Sequence, residues 1–192
     1  MKRITKKELF TIPNLIGYLR ILLIPVFCWL YIRADTPADY MLATGVVLFS
    51  SFTVLFDGLI ARKFNQVTDL GKILDPVADK LTHGAMAICL LTRYPLMWAL
   101  LGLMLLKEGY MAIMGLKFLK KGRMMDGAMW YGKVCTASLF VGMVVLFFGF
   151  SFSRTIANIV IAVLMMIMAV TLLLYIRFYR KMEASDSNTI NL

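Results

Sequence analysis

Residues 56–80 read FDGLIARKFNQVTDLGKILDPVADK and carry four carboxylates, Asp57, Asp69, Asp75 and Asp79, whereas the flanks 41–55 and 81–92 hold no charged residue. Charge is therefore concentrated between two segments apolar enough to lie in lipid. The chain has 192 residues, 60% of them hydrophobic, and its mean hydropathy is +0.78. Such a composition excludes an ordinary soluble domain and implies an integral membrane protein.

A membrane-crossing helix needs about 20 mostly apolar residues. Stretches of this kind recur near 12–32, 41–60, 77–92, 95–116, 134–152 and 155–176. The third is the shortest, because Arg93-Tyr94-Pro95 ends it and Pro95 favours a turn over one long helix. The expected fold is all-α and polytopic, with about six transmembrane helices. Residues 2–11 alternate basic and apolar groups, as expected of a short N-terminal interfacial helix. One membrane domain is expected over 1–182, followed by a polar, disordered tail at 183–192. The N-terminal apolar run has no small-residue cleavage pattern and is expected to stay as a span.

Basic residues accumulate on the cytoplasmic side of membrane proteins. Here Lys2, Arg3, Lys6 and Lys7 precede the first span, Arg62, Lys63, Lys72 and Lys80 lie between the second and third, and Lys117, Lys120, Lys121, Arg123 and Lys133 lie between the fourth and fifth. Arg177, Arg180 and Lys181 follow the sixth, whereas the other three connections hold only Arg33, Arg93 and Arg154. This asymmetry predicts both termini and the acidic stretch in the cytoplasm. It also assigns most of the net charge of +10 to topology and to attraction for anionic membrane lipids, with no nucleic acid as partner. Cys28, Cys89 and Cys135 lie far apart in or beside apolar runs, without metal-ligand spacing, and read as packing residues.

Asp75 and Asp79 are four residues apart, which on a helix stacks both carboxylates on one face. A tight return through Asn65 to Gly71 would bring Asp57 against them. Carboxylates converging at a membrane boundary need a cation, and all-oxygen ligation suits Mg²⁺ or Mn²⁺. A divalent ion there suits a phosphate-bearing substrate. Gly58, Ala61 and Gly71 leave room for close approach to the backbone, and Arg62 is placed to hold a diphosphate. The alternative is a solvated, positive-inside loop with helix-capping aspartates.

The pattern Asp57-Gly58-x2-Ala61-Arg62-x8-Gly71-x3-Asp75-x3-Asp79 fixes seven residues across 23 positions. It resembles the signature of the CDP-alcohol phosphotransferases, membrane enzymes that move a phosphoalcohol group from a CDP-activated donor to an alcohol. Pro13-Asn14, Arg20 and Pro25 resemble the family's first span, and Gly132-Lys133 with Thr136 its approach to the fifth. The resemblance implies Asp57 and Asp75 as metal ligands, with Asp79 at the metal or as general base on the acceptor hydroxyl. It further implies Gly58, Ala61 and Gly71 around cytidine, Arg62 at the diphosphate, and a homodimer. The family places another Asp one helical turn before the Asp-Gly pair, where this chain has Val54. That departure implies a weakened metal site, and leaves a CDP-lipid-binding chain with impaired catalysis as an alternative.

Leu74-Asp75-Pro76-Val77-Ala78-Asp79-Lys80 resembles the branch that makes phosphatidylglycerophosphate or cardiolipin. The expected donor is CDP-diacylglycerol and the expected acceptor glycerol 3-phosphate, with phosphatidylglycerol as the alternative, in a bacterial cell membrane. Candidate contacts for the acceptor phosphate are Lys107, Lys133, Arg20 and Lys72. Lys107 lies deep in the fourth span, where an ionisable group is costly and is usually functional or paired. Glu108 is its neighbour, and because successive helical residues point apart, each is expected to meet a group on another helix. His83, one turn after Asp79, is expected as a packed or capping residue within reach of the site.

Overall fold

The computed structural model describes the backbone at residues 11–63, 69–120, 129–149 and 152–190, and within these the side chains other than those of 13, 54–63, 69, 72–73 and 184–190. Among the described residues six helices follow one another: α1 (Ile12–Ile32), α2 (Pro37–Lys63), α3 (Asp69–Leu91), α4 (Met97–Lys120), α5 (Trp130–Phe148) and α6 (Arg154–Ile190). Each of the six predicted spans overlaps one of them, the third, fourth and fifth running past a helix end. Among the described residues, Asn14–Ile32, Met97–Lys120, Trp130–Phe148 and Arg154–Glu183 are long and apolar enough to cross a membrane. The expected interfacial helix at 2–11 lies outside the described residues.

Local sequence explains the helix starts. Pro13 stands at the first turn of α1, where its missing N–H costs nothing and its fixed φ suits a helix. Pro37 opens α2, and Thr36 and Asp39 cap it reciprocally. The Asp39 N–H donates to Thr36 Oγ1 at 3.3 Å, while Asp39 Oδ2 accepts from the Thr36 N–H at 2.9 Å and from its hydroxyl at 2.7 Å. α3 stops at Leu91 and α4 begins at Met97, so the turn expected at Pro95 is present.

Many large apolar side chains are exposed along the helices, including Leu22, Trp98, Leu105, Ile113 and Met166. Helices with an apolar outer face belong in lipid, and the protein is an integral membrane protein. α6 has 37 residues, about 55 Å at helical rise, and so exceeds the hydrocarbon core by several turns. It is helical to Ile190, where the sequence reading places a disordered tail from 183. Met182, Glu183 and Ala184 are good helix formers that let the last span run on.

The chain divides into two compact units, one of Met1–Arg93 with Met143–Phe152, the other of Tyr94–Gly142 with Ser153–Leu192. In the first, α1 packs on both α2 and α3. Gly17 makes the α1–α3 approach possible, since a Cβ there would come within 2.6 Å of Leu74 Cδ2. Further along, Arg20 meets Asp79, and the side chain of Cys28 lies close to that of Cys89. These three pairings rise together along both helices, so α1 and α3 run in the same direction. In the second unit α4 packs on α6. Phe118, Tyr175 and Tyr179 form a core there, with Tyr110, Tyr131 and Phe178 against it.

Candidate functional site

The site is centred on α3 within the first unit. Asp75 and Asp79 stand one turn apart on this helix, as the spacing predicts, with Pro76 between them. Pro76 has no N–H, so α3 lacks one backbone hydrogen bond beside the two carboxylates. The Leu74–Gly17 contact fixes the height of α1 against α3 and brings Arg20 level with Asp79. Arg20 Nη1 donates to Asp79 Oδ1 at 2.9 Å; the Arg20 side chain is 2% exposed and that of Asp79 is 44% exposed. Asp79 is therefore held from one side and open on the other.

Asp75 is exposed by area but has protein on one side of it. This partial desolvation raises its carboxyl above the ordinary carboxylate value; the Arg20 charge pulls it down, and the Asp79 charge pushes it up again. The two carboxylates repel, and a positive group from α1 already lies against the face of α3 that carries them. His83 Nδ1 donates to the backbone carbonyl of Asp79 at 2.7 Å. That bond anchors the half-buried imidazole to the same turn of α3, within the helix rather than at a cap.

The other half of the acidic stretch runs along α2, whose last turns carry positions 57, 58, 61 and 62. The side chains of Val54, Asp57, Gly58, Ala61, Arg62, Asp69 and Lys72 lie outside the described residues, as does the turn at 64–68. Among the described residues no group of three His, Cys, Asp or Glu comes together as a metal cluster. Asp75 and Asp79 nonetheless fit a hard divalent cation. Their donors are all oxygen, they crowd each other, and the guanidinium on Asp79 shows that this place attracts a cation.

The acceptor-phosphate candidates fare differently. Arg20 is buried, and its Nη1 is bonded to Asp79. Lys133 is exposed near the start of α5, and Lys107 and Lys133 both belong to the second unit. Lys107 is buried, and its Nζ donates to Glu108 Oε1 at 2.7 Å. For Lys107 the expectation of a partner on another helix is thus corrected, whereas Glu108 also acts electrostatically on Tyr175 of α6. Long side chains can fold back across a helix surface, and a buried ammonium takes the nearest carboxylate. What the sequence did not reveal was the partner of Arg20. Its signal was an arginine within an apolar span, which requires a counter-charge on a packed helix.

The sequence matches the family model for CDP-alcohol phosphatidyltransferase over residues 10–179. It is 44% identical over 82 residues to the CDP-diacylglycerol–glycerol-3-phosphate 3-phosphatidyltransferase of Rickettsia bellii, covering 43% of this chain and 45% of that protein. It is 40% identical over 93 residues to a Schizosaccharomyces pombe cardiolipin synthase (CMP-forming)/mitochondrial hydrolase fusion protein, covering 48% of this chain and 15% of that one. A Streptomyces coelicolor cardiolipin synthase (CMP-forming) is 36% identical over 81 residues, covering 41% of this chain and 38% of its own length. The chain spans less than half the length of these curated relatives in each match.

Proposed function

The chain belongs to the CDP-alcohol phosphatidyltransferase family, and on that premise we propose that it transfers a phosphatidyl group from CDP-diacylglycerol to glycerol 3-phosphate and releases CMP. The observation that carries this reading is the seven-residue pattern from Asp57 to Asp79, with Asp75 and Asp79 on one face of α3. The relatives named as glycerol-3-phosphate 3-phosphatidyltransferases support this acceptor. Those named as cardiolipin synthases support phosphatidylglycerol as the second reading.

In the proposed reaction the acceptor hydroxyl oxygen attacks the β-phosphorus of the donor in line with the leaving group. The new P–O bond forms as the bond to the CMP phosphate breaks, and CMP departs with the electron pair. Asp79 takes the hydroxyl proton. Its open flank gives the hydroxyl access, while Arg20 holds the other oxygen and fixes the carboxylate's orientation. Asp57, Asp75 and Asp79 would hold Mg²⁺ or Mn²⁺, which when bound offsets the negative charge on the phosphoryl oxygens. Gly58, Ala61 and Gly71 line the cytidine, Arg62 binds the diphosphate, and Lys107, Lys133 and Lys72 remain candidates for the acceptor phosphate. The site and both termini face the cytoplasm of a bacterial cell, and the enzyme works as a homodimer.

The test is CMP release by the purified protein with CDP-diacylglycerol, Mn²⁺ or Mg²⁺, and either acceptor. Metal-dependent CMP with glycerol 3-phosphate supports the first reading and CMP with phosphatidylglycerol alone the second. No CMP with any acceptor removes the enzyme reading.

A further inference from the structure

We infer that Arg20 is a built-in counter-ion that competes with the metal for Asp79, and so sets how tightly the site holds a divalent cation. The inference rests on Asp79 belonging to the metal site proposed above. Arg20 is among the largest fully buried side chains of the protein, although it is a fixed cation in an apolar span. A charge so placed is costly unless it is matched, and its Nη1 finds Asp79 Oδ1 at 2.9 Å from another helix, 59 residues away in sequence. The same guanidinium acts electrostatically on Asp75. Arg20 thus serves both described carboxylates of the site.

Charge addition shows the consequence. Asp57, Asp75 and Asp79 contribute −3 and Arg20 +1, leaving −2 to be balanced by a divalent ion. An ion that enters must share Asp79 with the guanidinium or displace it, and it is repelled by the charge that stays. Because Val54 stands where the family has a further aspartate, one unit of positive charge weighs more heavily against metal binding here. Arg20 is a positioning residue in this scheme, since it acts on the reaction through Asp79. Without metal its charge offsets part of the repulsion between Asp75 and Asp79.

The experiment is a Mn²⁺ titration of the purified full chain in detergent without substrates, followed by the spin-resonance signal of free Mn²⁺. R20M is expected to bind Mn²⁺ at least roughly fivefold more tightly than the wild type, the size expected from removing one unit charge near a divalent ion even in a watery dielectric. In a D79N background the same substitution is expected to tighten binding by less than it does in the wild type, because competition for the shared carboxylate is gone and only the guanidinium's repulsion remains. General structural damage would instead weaken binding, so the sign separates the two. R20Q carries the same expectation if R20M does not fold. Unchanged or weaker binding in the folded variant overturns the inference alone, whereas a wild type that binds no Mn²⁺ overturns the metal-site reading and this inference together.

Discussion

The hydroxyl of Tyr175 occupies the space that a side chain at position 132 would need, so α5 and α6 meet through a glycine. Tyr175 is fully buried, and its Oη has no hydrogen-bond partner among the described residues. Adding a methyl group at this contact forces the ring or the backbone to shift. G132A is expected to cost about 1–3 kcal/mol, the range for an overpacked core. Y175F removes the atom that collides and an unpaired buried hydroxyl with it, so it should be neutral or mildly stabilising. The double variant should recover most of the loss. Thermal unfolding of the three variants in detergent decides this, and equal destabilisation of G132A with and without Y175F would sink the argument.

The six helices were legible because lipid imposes a composition that few other environments demand, and each apolar run became a helix. The carboxylate face of α3 was legible from one interval, Asp75 to Asp79. The pairing of Arg20 with Asp79 was not, because it depends on the height at which Gly17 lets α1 slide against Leu74, which no local pattern encodes. Lys107 illustrates the reverse error. Its depth correctly demanded a partner, but helical phase alone placed that partner on another helix, ignoring the reach of two flexible side chains.

Lys107 and Glu108 form a pair whose side chains are 7% and 26% exposed. Removing Glu108 takes the neighbouring carboxylate from the lysine, which is the more enclosed of the two. E108Q is therefore expected to destabilise the protein by about 3 kcal/mol and K107M by less. The double variant K107M/E108Q, which leaves no stranded charge, should be closer to the wild type than E108Q is. Unfolding in a denaturing detergent series measures this. An E108Q protein as stable as the wild type would show that the pair contributes nothing.

The Thr36–Asp39 cap predicts a pH dependence with a defined sign. Hydrogen bonds from the Thr36 hydroxyl and N–H, and a weaker one from the Asp35 N–H, hold the Asp39 carboxyl below its ordinary value. A carboxylate whose folded value is depressed adds stability above its unfolded value, near pH 4, and loses it as pH falls through the folded value. The melting temperature of D39A should thus lie below that of the wild type at neutral pH, and the gap should narrow as pH drops below about 4. A gap that stays constant across this window would mean that the cap acts without the charge.

Position 54 offers the sharpest test of how complete the metal site is. It lies three residues before Asp57 in α2, one helical turn away, so a carboxylate there would sit on the same face as Asp57. V54D adds one negative charge to a site whose carboxylates and Arg20 now sum to −2. A more negative, all-oxygen site binds divalent cations more tightly, by roughly tenfold for one added carboxylate near the ion. V54D should therefore lower the Mn²⁺ concentration needed for half-maximal CMP release and raise the amount of Mn²⁺ bound at saturation. D79N in the same background should remove CMP release by a factor of about 10² or more if Asp79 is the base. A V54D protein that gains neither metal nor turnover would show that this chain's three carboxylates already complete the site.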